Sequence, residues 1–240
     1  MPSMKTKILS KAAKTYISIL NCEKFSDLPE GFTVTCHAGA MLTKPNSLKS
    51  VEEAVNWGAD VVEFDVSFRP DSTPVIIHDS SPKNNEGVLL EKALEIVAKD
   101  KKCRINLDIK STKNLAEVDR LVKKHGLFER VFYTGVFADW VDTVKATSAI
   151  PYYLNHNIGK DEANAESAVA VAEKIKSLGA CGLNSNLRFV TKEVVDIMHE
   201  NGLPVSLWTA KTSNDMIKAL STRPDNITTK KPNVLKALIK

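Results

Sequence analysis

Short apolar runs alternate with segments of helical period along almost the whole chain. The runs fall at residues 32–36, 61–66, 75–77, 105–109, 131–133, 152–154, 181–183, 205–208 and 227–229. Between most of them, apolar residues recur at three- and four-residue spacing over 47–57, 89–99, 114–125, 138–146, 160–178, 191–201 and 213–220, and 233–239 closes the chain. Gly58, Gly126 and Gly202 follow the last periodic residue of three of these segments, where a helix stop belongs. Repeated strand–helix alternation predicts a parallel sheet covered by helices. Runs 61–66 and 75–77 are joined only by Ser-Phe-Arg-Pro-Asp-Ser-Thr-Pro, a turn composition too short for a parallel crossover, so they read as a hairpin. Eight strands that each feed a helix then remain. The predicted fold is a (β/α)8 TIM barrel with a hairpin extension after the second strand. The alternative, an open doubly wound sheet, calls for a Gly-rich phosphate loop after the first strand, and His37-Ala38-Gly39-Ala40-Met41 is a poor one.

Ahead of the first run, Ile8, Leu9, Ala12, Ala13, Tyr16, Ile17 and Leu20 repeat at helical spacing, and Lys11 and Lys14 interrupt any apolar core of a signal peptide. Residues 1–30 therefore read as an amphipathic helix and lead-in, and residues 31–240 as one barrel domain. Composition is that of a globular protein, with 43% hydrophobic and 26% charged residues in 240. The net charge is +4, and the lysines are spread rather than blocked, so no nucleic-acid partner is expected. No apolar stretch approaches the roughly 20 residues of a membrane span, so no stable membrane insertion is expected. The four cysteines are scattered without a C-x-x-C pair, and a reducing, cytoplasmic compartment is the simplest setting.

In such a barrel the chemistry sits at the carboxyl ends of the strands. The polar residues there are His37, Glu63 and Asp65, His78 and Asp79, Asp108 and Lys110, Asn155 and His156, Asn184, and Trp208 and Thr209. Glu63 and Asp65 are two apart in a strand and share one face. Two carboxylates on one buried face repel unless a cation or proton intervenes. A salt bridge to Lys or Arg satisfies that need, but Asp108 adds a third carboxylate. Three oxygen ligands without Cys or clustered His suit Mg2+ or Ca2+ better than Zn2+. A lone strand-end histidine is commonly structural, whereas His37 and His78 beside a carboxylate cluster read as an acid–base pair. Lys110 shares a face with Asp108 and could pair with it, bind an anion or form a Schiff base. Trp208 reads as barrel core or as a flat substrate wall. His156 is a further candidate for lining the mouth, while His125 and His199 end helices and need no function.

The segment from residue 37 to 110 resembles the glycerophosphodiester phosphodiesterases. The motifs are C-H-A-G from Cys36, K-P-N-S-L from Lys44, V-E-F-D-V from Val62, V-I-I-H-D from Val75, N-L-D-I-K from Asn106 and S-L-W-T from Ser206. The resemblance implies a metal-dependent (β/α)8 phosphodiesterase with His37 and His78 as acid and base and Glu63, Asp65 and Asp108 as metal ligands. It implies substrate contacts from Lys110, Trp208 and Asn46, and a glycerophosphodiester or lysophospholipid head group as the ligand. The family's Arg after the first histidine is Ala38 here, its usual third-ligand Glu is Asp108, and the insertion after His-Asp shrinks to residues 80–87. Missing Arg, short loop and Asp-x-Lys are shared with the sphingomyelinase D-like phospholipases, which form cyclic phosphates. A Schiff-base aldolase on Lys110 and a barrel that only binds a phosphorylated ligand are the remaining alternatives.

Overall fold

The computed structural model of the chain describes residues 1–19 and 24–240. The chain runs α1 (Met4–Ile19), β1 (Thr33–Cys36), α2 (Leu48–Trp57), β2 (Val61–Phe68), β3 (Pro74–Ile76), β4 (Val88–Leu89), α3 (Leu90–Val97), β5 (Arg104–Ile109), α4 (Leu115–Lys124), β6 (Val131–Val136), α5 (Val141–Thr147), β7 (Tyr152–Asn155), α6 (Ala165–Leu178), β8 (Leu183–Asn186), α7 (Lys192–Glu200), β9 (Val205–Ala210), α8 (Ser213–Ser221), β10 (Asn226–Thr229) and α9 (Pro232–Ala237). Strands β1, β2 and β5 to β10 pair in parallel, and β1 bonds both β2 and β10, so the eight close into a barrel.

The strands alternate apolar outward and polar inward, and that alternation builds the two sides of the barrel wall. In β2, Val62, Phe64, Val66 and Phe68 join the apolar layer under the helices, while Glu63 and Asp65 line the interior. In β5, Ile105, Leu107 and Ile109 face out, and Asn106 and Asp108 face in. Leu107 is fully buried in that layer, and truncating it to Ala costs about 2–5 kcal/mol. The interior polar groups pair with each other, as buried polar groups must. Thr134 Oγ1 donates to Asn106 Oδ1 at 2.8 Å, Asn184 Nδ2 to Asn155 Oδ1 at 2.8 Å, and Ser206 Oγ to Asn226 Oδ1 at 3.2 Å.

Several boundaries differ from the sequence expectation. The hairpin gains a third strand, because the chain after residues 80–87 returns as β4 and pairs antiparallel with β3. The run at 181–183 shifts to Leu183–Asn186, since the polar residues Asn184 and Asn186 continue a strand that hydropathy alone ends early. Helix α6 starts only at Ala165, where the Asn164 side chain accepts the Ser167 N–H. Segment 138–146 splits into a 3-10 turn at Ala138–Trp140 and α5. In α1 the buried face is Thr6, Ala13 and Ile17, whereas Ile8 and Tyr16 of the expected stripe are exposed. Thr6 is buried because its hydroxyl donates to Glu53 of α2 at 2.6 Å. Leu20 and Cys22 lie outside the described residues. Cys36 and Cys103 are buried free thiols, and Cys181 is exposed and free. Among the described residues no helix is long and apolar enough to cross a membrane.

Candidate active site

Register between β2 and β5 brings the carboxylates together. Asp65 pairs with Asp108 across the two strands, and Glu63 pairs with Asn106. One oxygen each from Glu63, Asp65 and Asp108 lies within 4.8 Å of the others. Glu63 Oε2 accepts the Ala38 N–H at 2.8 Å and stands 3.6 Å from His37 Nδ1. Lys110 Nζ reaches Asp65 Oδ1 at 2.9 Å and Asp108 Oδ2 at 2.6 Å. The remaining Asp65 oxygen, Oδ2, accepts Asn46 Nδ2 at 2.6 Å.

Burial pushes the Glu63 carboxyl well above its ordinary range, and the charges of Asp65 and Asp108 push it further. Burial also raises Asp108, against the opposing pull of Lys110. For Lys110 burial works downward, but Asp108 and Asp65 outweigh it and hold the ammonium above its usual range. A protonated amine gripped by two carboxylates is no nucleophile, which argues against Schiff-base chemistry. The donor set is oxygen only, buried and in excess of the one lysine that faces it. That chemistry fits a hard divalent cation, which Glu63, Asp65 and Asp108 could hold.

Two histidines flank the carboxylates. His37 follows β1, and its Nδ1 donates to the Ala38 carbonyl at 3.0 Å. The bond leaves the lone pair on Nε2. Burial lowers the pKa of His37, with Lys230 adding to the effect, which favours the neutral ring. His78 follows β3, and the Ile77 N–H donates to the Asp65 carbonyl at 3.0 Å, tying the end of the extension to the carboxylate strand. Its side chain is exposed at the mouth. Both histidines line a cavity of about 1100 Å3 together with the three carboxylates, Lys110 and Trp208. Trp208 Nε1 is buried without a partner among the described residues, so the cavity meets the ring rather than the N–H. Phe137 and Trp140, edge to face at 6.2 Å, add an aromatic wall after β6.

Two expected contacts fall elsewhere. Asn46 does not line the cavity; its amide holds Asp65 from behind, with Oδ1 accepting the Asp65 N–H at 3.1 Å. It reaches there because its backbone sits at φ 51, a turn that the sequence does not announce. His156 also stays outside, because its Nε2 lies 3.1 Å from Glu162 Oε1 within the loop after β7. Gly135 and Lys230 were not singled out from the sequence. The strand-end rule applied to the last run would have found Lys230, and a glycine inside the β6 pattern is a signal of close backbone approach.

A model of the glycerophosphoryl diester phosphodiesterase family matches residues 37–84 and 82–234. No curated protein sequence is a match. Among solved structures, an Oleispira antarctica phosphodiesterase in complex with its product sn-glycerol-3-phosphate is similar, with a TM-score of 0.69 and 18% identity over 89% of this chain and 99% of that one. A Thermotoga maritima glycerophosphodiester phosphodiesterase aligns with a TM-score of 0.65 and 18% identity, over 85% and 96% of the two chains. One from Agrobacterium tumefaciens gives 0.66 and 16% identity, over 86% and 99%. At these identities the structures attest the shared barrel fold.

Proposed function

The chain belongs to the glycerophosphoryl diester phosphodiesterase family of phosphoric diester hydrolases, and from that membership we propose that it cleaves glycerophosphodiesters to glycerol phosphate and an alcohol between His37 and His78. Residues 31–240 form the catalytic barrel in this reading, with 1–30 as its lead-in. The observation that carries it is the convergence of two histidines on three carboxylates at one end of the barrel, with His37 Nδ1 3.6 Å from Glu63.

Glu63, Asp65 and Asp108 would hold a divalent cation, Mg2+ or Ca2+, which when bound would neutralise charge on the non-bridging phosphate oxygens. Lys110 keeps Asp65 and Asp108 oriented, and Asn46 fixes the far oxygen of Asp65. His37 is the general base. Its Nδ1–H is committed to the Ala38 carbonyl, so Nε2 is free to take the proton of the attacking hydroxyl. His78 is the general acid that protonates the departing alkoxide, and its exposure lets water restore the proton. Trp208 and the Phe137–Trp140 pair form walls for the organic parts of the substrate.

His37→Asn and His78→Asn test the assignment. Each is expected to lower kcat by about 100- to 10,000-fold with the thermal melt unchanged. Near-normal rates in either variant remove that residue from the catalytic pair.

A further inference from the structure

The cavity carries positive charge that its carboxylates do not use. Lys110 is taken by Asp65 and Asp108. Lys211, Lys230 and Lys231 also line the cavity, and among the described residues none of their ammonium groups lies within 4.0 Å of a carboxylate. Ala38, which follows the first-strand histidine, brings only a methyl group that is 2% exposed.

Strand β10 decides which of the three lysines serves the reaction centre. Asn226, Thr228 and Lys230 alternate along one face. The Asn226 amide bonds Thr35 and Ser206 inside the barrel, and Thr228 lines the cavity. Two residues on, Lys230 leaves the strand on that same side. Its backbone is pinned to the histidine loop, since the His37 N–H donates to the Thr229 carbonyl and the Met41 N–H to the Lys230 carbonyl, both at 3.0 Å. Strand β1 lies between β10 and β2. His37 is therefore flanked by Glu63 and Asp65 on one side and by Lys230 on the other. A phosphodiester attacked beside His37 meets the carboxylate cluster with one face and Lys230 with another.

We propose that Lys230 holds the non-bridging oxygens of the substrate phosphodiester, supplying from the last strand the cation that the residue after His37 lacks. The inference rests on the phosphodiesterase reading of the same cavity. An ammonium in this place makes a charge-assisted contact with an anionic oxygen and leaves a positively charged group with no such oxygen to face.

The test compares Lys230→Met, Lys230→Arg and a net-charge control on the outer surface, Lys174→Met. Turnover of glycerophosphocholine is measured with Mg2+ present, and binding of sn-glycerol 3-phosphate is measured by calorimetry, which needs no turnover. Lys230→Met is expected to raise KM and the Kd of the phosphomonoester by about 10- to 100-fold. The arginine variant should recover most of that loss, and the Lys174→Met control should track the unsubstituted protein. Lys230 is exposed, so all variants should melt normally. Unchanged KM and Kd in Lys230→Met overturn the proposal, as does an unsubstituted protein that binds no phosphomonoester. A protein that turns over no glycerophosphodiester yet binds the phosphomonoester through Lys230 overturns the functional reading and leaves Lys230 only as a contact to phosphate oxygens.

Discussion

Gly135 shows how closely the site is built around single atoms. It sits in β6 at φ 76, and a Cβ added there would stand 2.5 Å from Asp108 Oδ1. Its N–H donates to Asn155 Oδ1 at 2.9 Å, and that same oxygen accepts Asn184 Nδ2, so two interior asparagines hold the backbone against the carboxylate. Gly135→Ala must displace Asp108 or the strand, with about 1–3 kcal/mol of overpacking strain. A shift of a catalytic group by about 1 Å costs up to 100-fold. The variant is therefore expected to lose about 10- to 100-fold in kcat/KM and to need more divalent cation for half-maximal rate, as a metal titration of activity would show. Equal metal dependence in both proteins would mean that Asp108 does not bear on the cation.

Helix α1 is fastened to α2 by one carboxylate. Glu53 accepts Thr6 Oγ1 at 2.6 Å and Ser3 Oγ at 2.8 Å, and Lys49 Nζ lies 3.0 Å away. The Thr6 hydroxyl, opposed by burial and aided by Lys49 and Ser3, brings its pKa down to about 2. A carboxyl whose folded pKa is depressed stabilises the fold above its unfolded value, near 4.5, and the gain vanishes as pH falls through the folded value. Glu53→Gln should thus cost about 1–2 kcal/mol at pH 7 and little at pH 2. Thermal melts of both proteins across that range check it, and identical Tm values at pH 7 would contradict it. The same helix marks where the sequence stops being legible. Its period was readable, but which face it buries is set by distant partners, Glu53 for Thr6 and helix α9 along the rest, whose Asn233 Nδ2 donates to the Leu9 carbonyl at 2.8 Å. The barrel strands were readable because each outward face is apolar, and much of the cavity lining because polar residues stand at or just past the strand ends. What hydropathy could not place were groups set by loops or by distant pairing. Asn46 turns behind Asp65, His156 turns to Glu162, and Lys230 meets His37 only because β1 pairs with β10.

The whole molecule joins two charge patterns at one end of a closed barrel. Three carboxylates converge from β2 and β5 with Lys110 between two of them, and lysines without a carboxylate partner among the described residues border the cavity just past β9 and β10. Burial and the charges of Asp65 and Asp108 push the Glu63 carboxyl up, and the lysines bring positive charge that no described carboxylate answers. A divalent cation on the carboxylates and a phosphodiester between that cation and the lysines would resolve both. Closure of the barrel is what brings the patterns together, because β1, which carries His37, is hydrogen-bonded to β2 on one side and to β10 on the other. Metal-dependent cleavage of a phosphodiester is the reaction proposed for this junction. Phosphorus NMR of glycerophosphocholine incubated with chelator-stripped protein, before and after Mg2+ or Ca2+ is restored, measures this directly. The prediction is a silent spectrum without the cation and growth of the glycerol phosphate signal once it is added; full-rate cleavage by the stripped protein, or none with either cation, would contradict it.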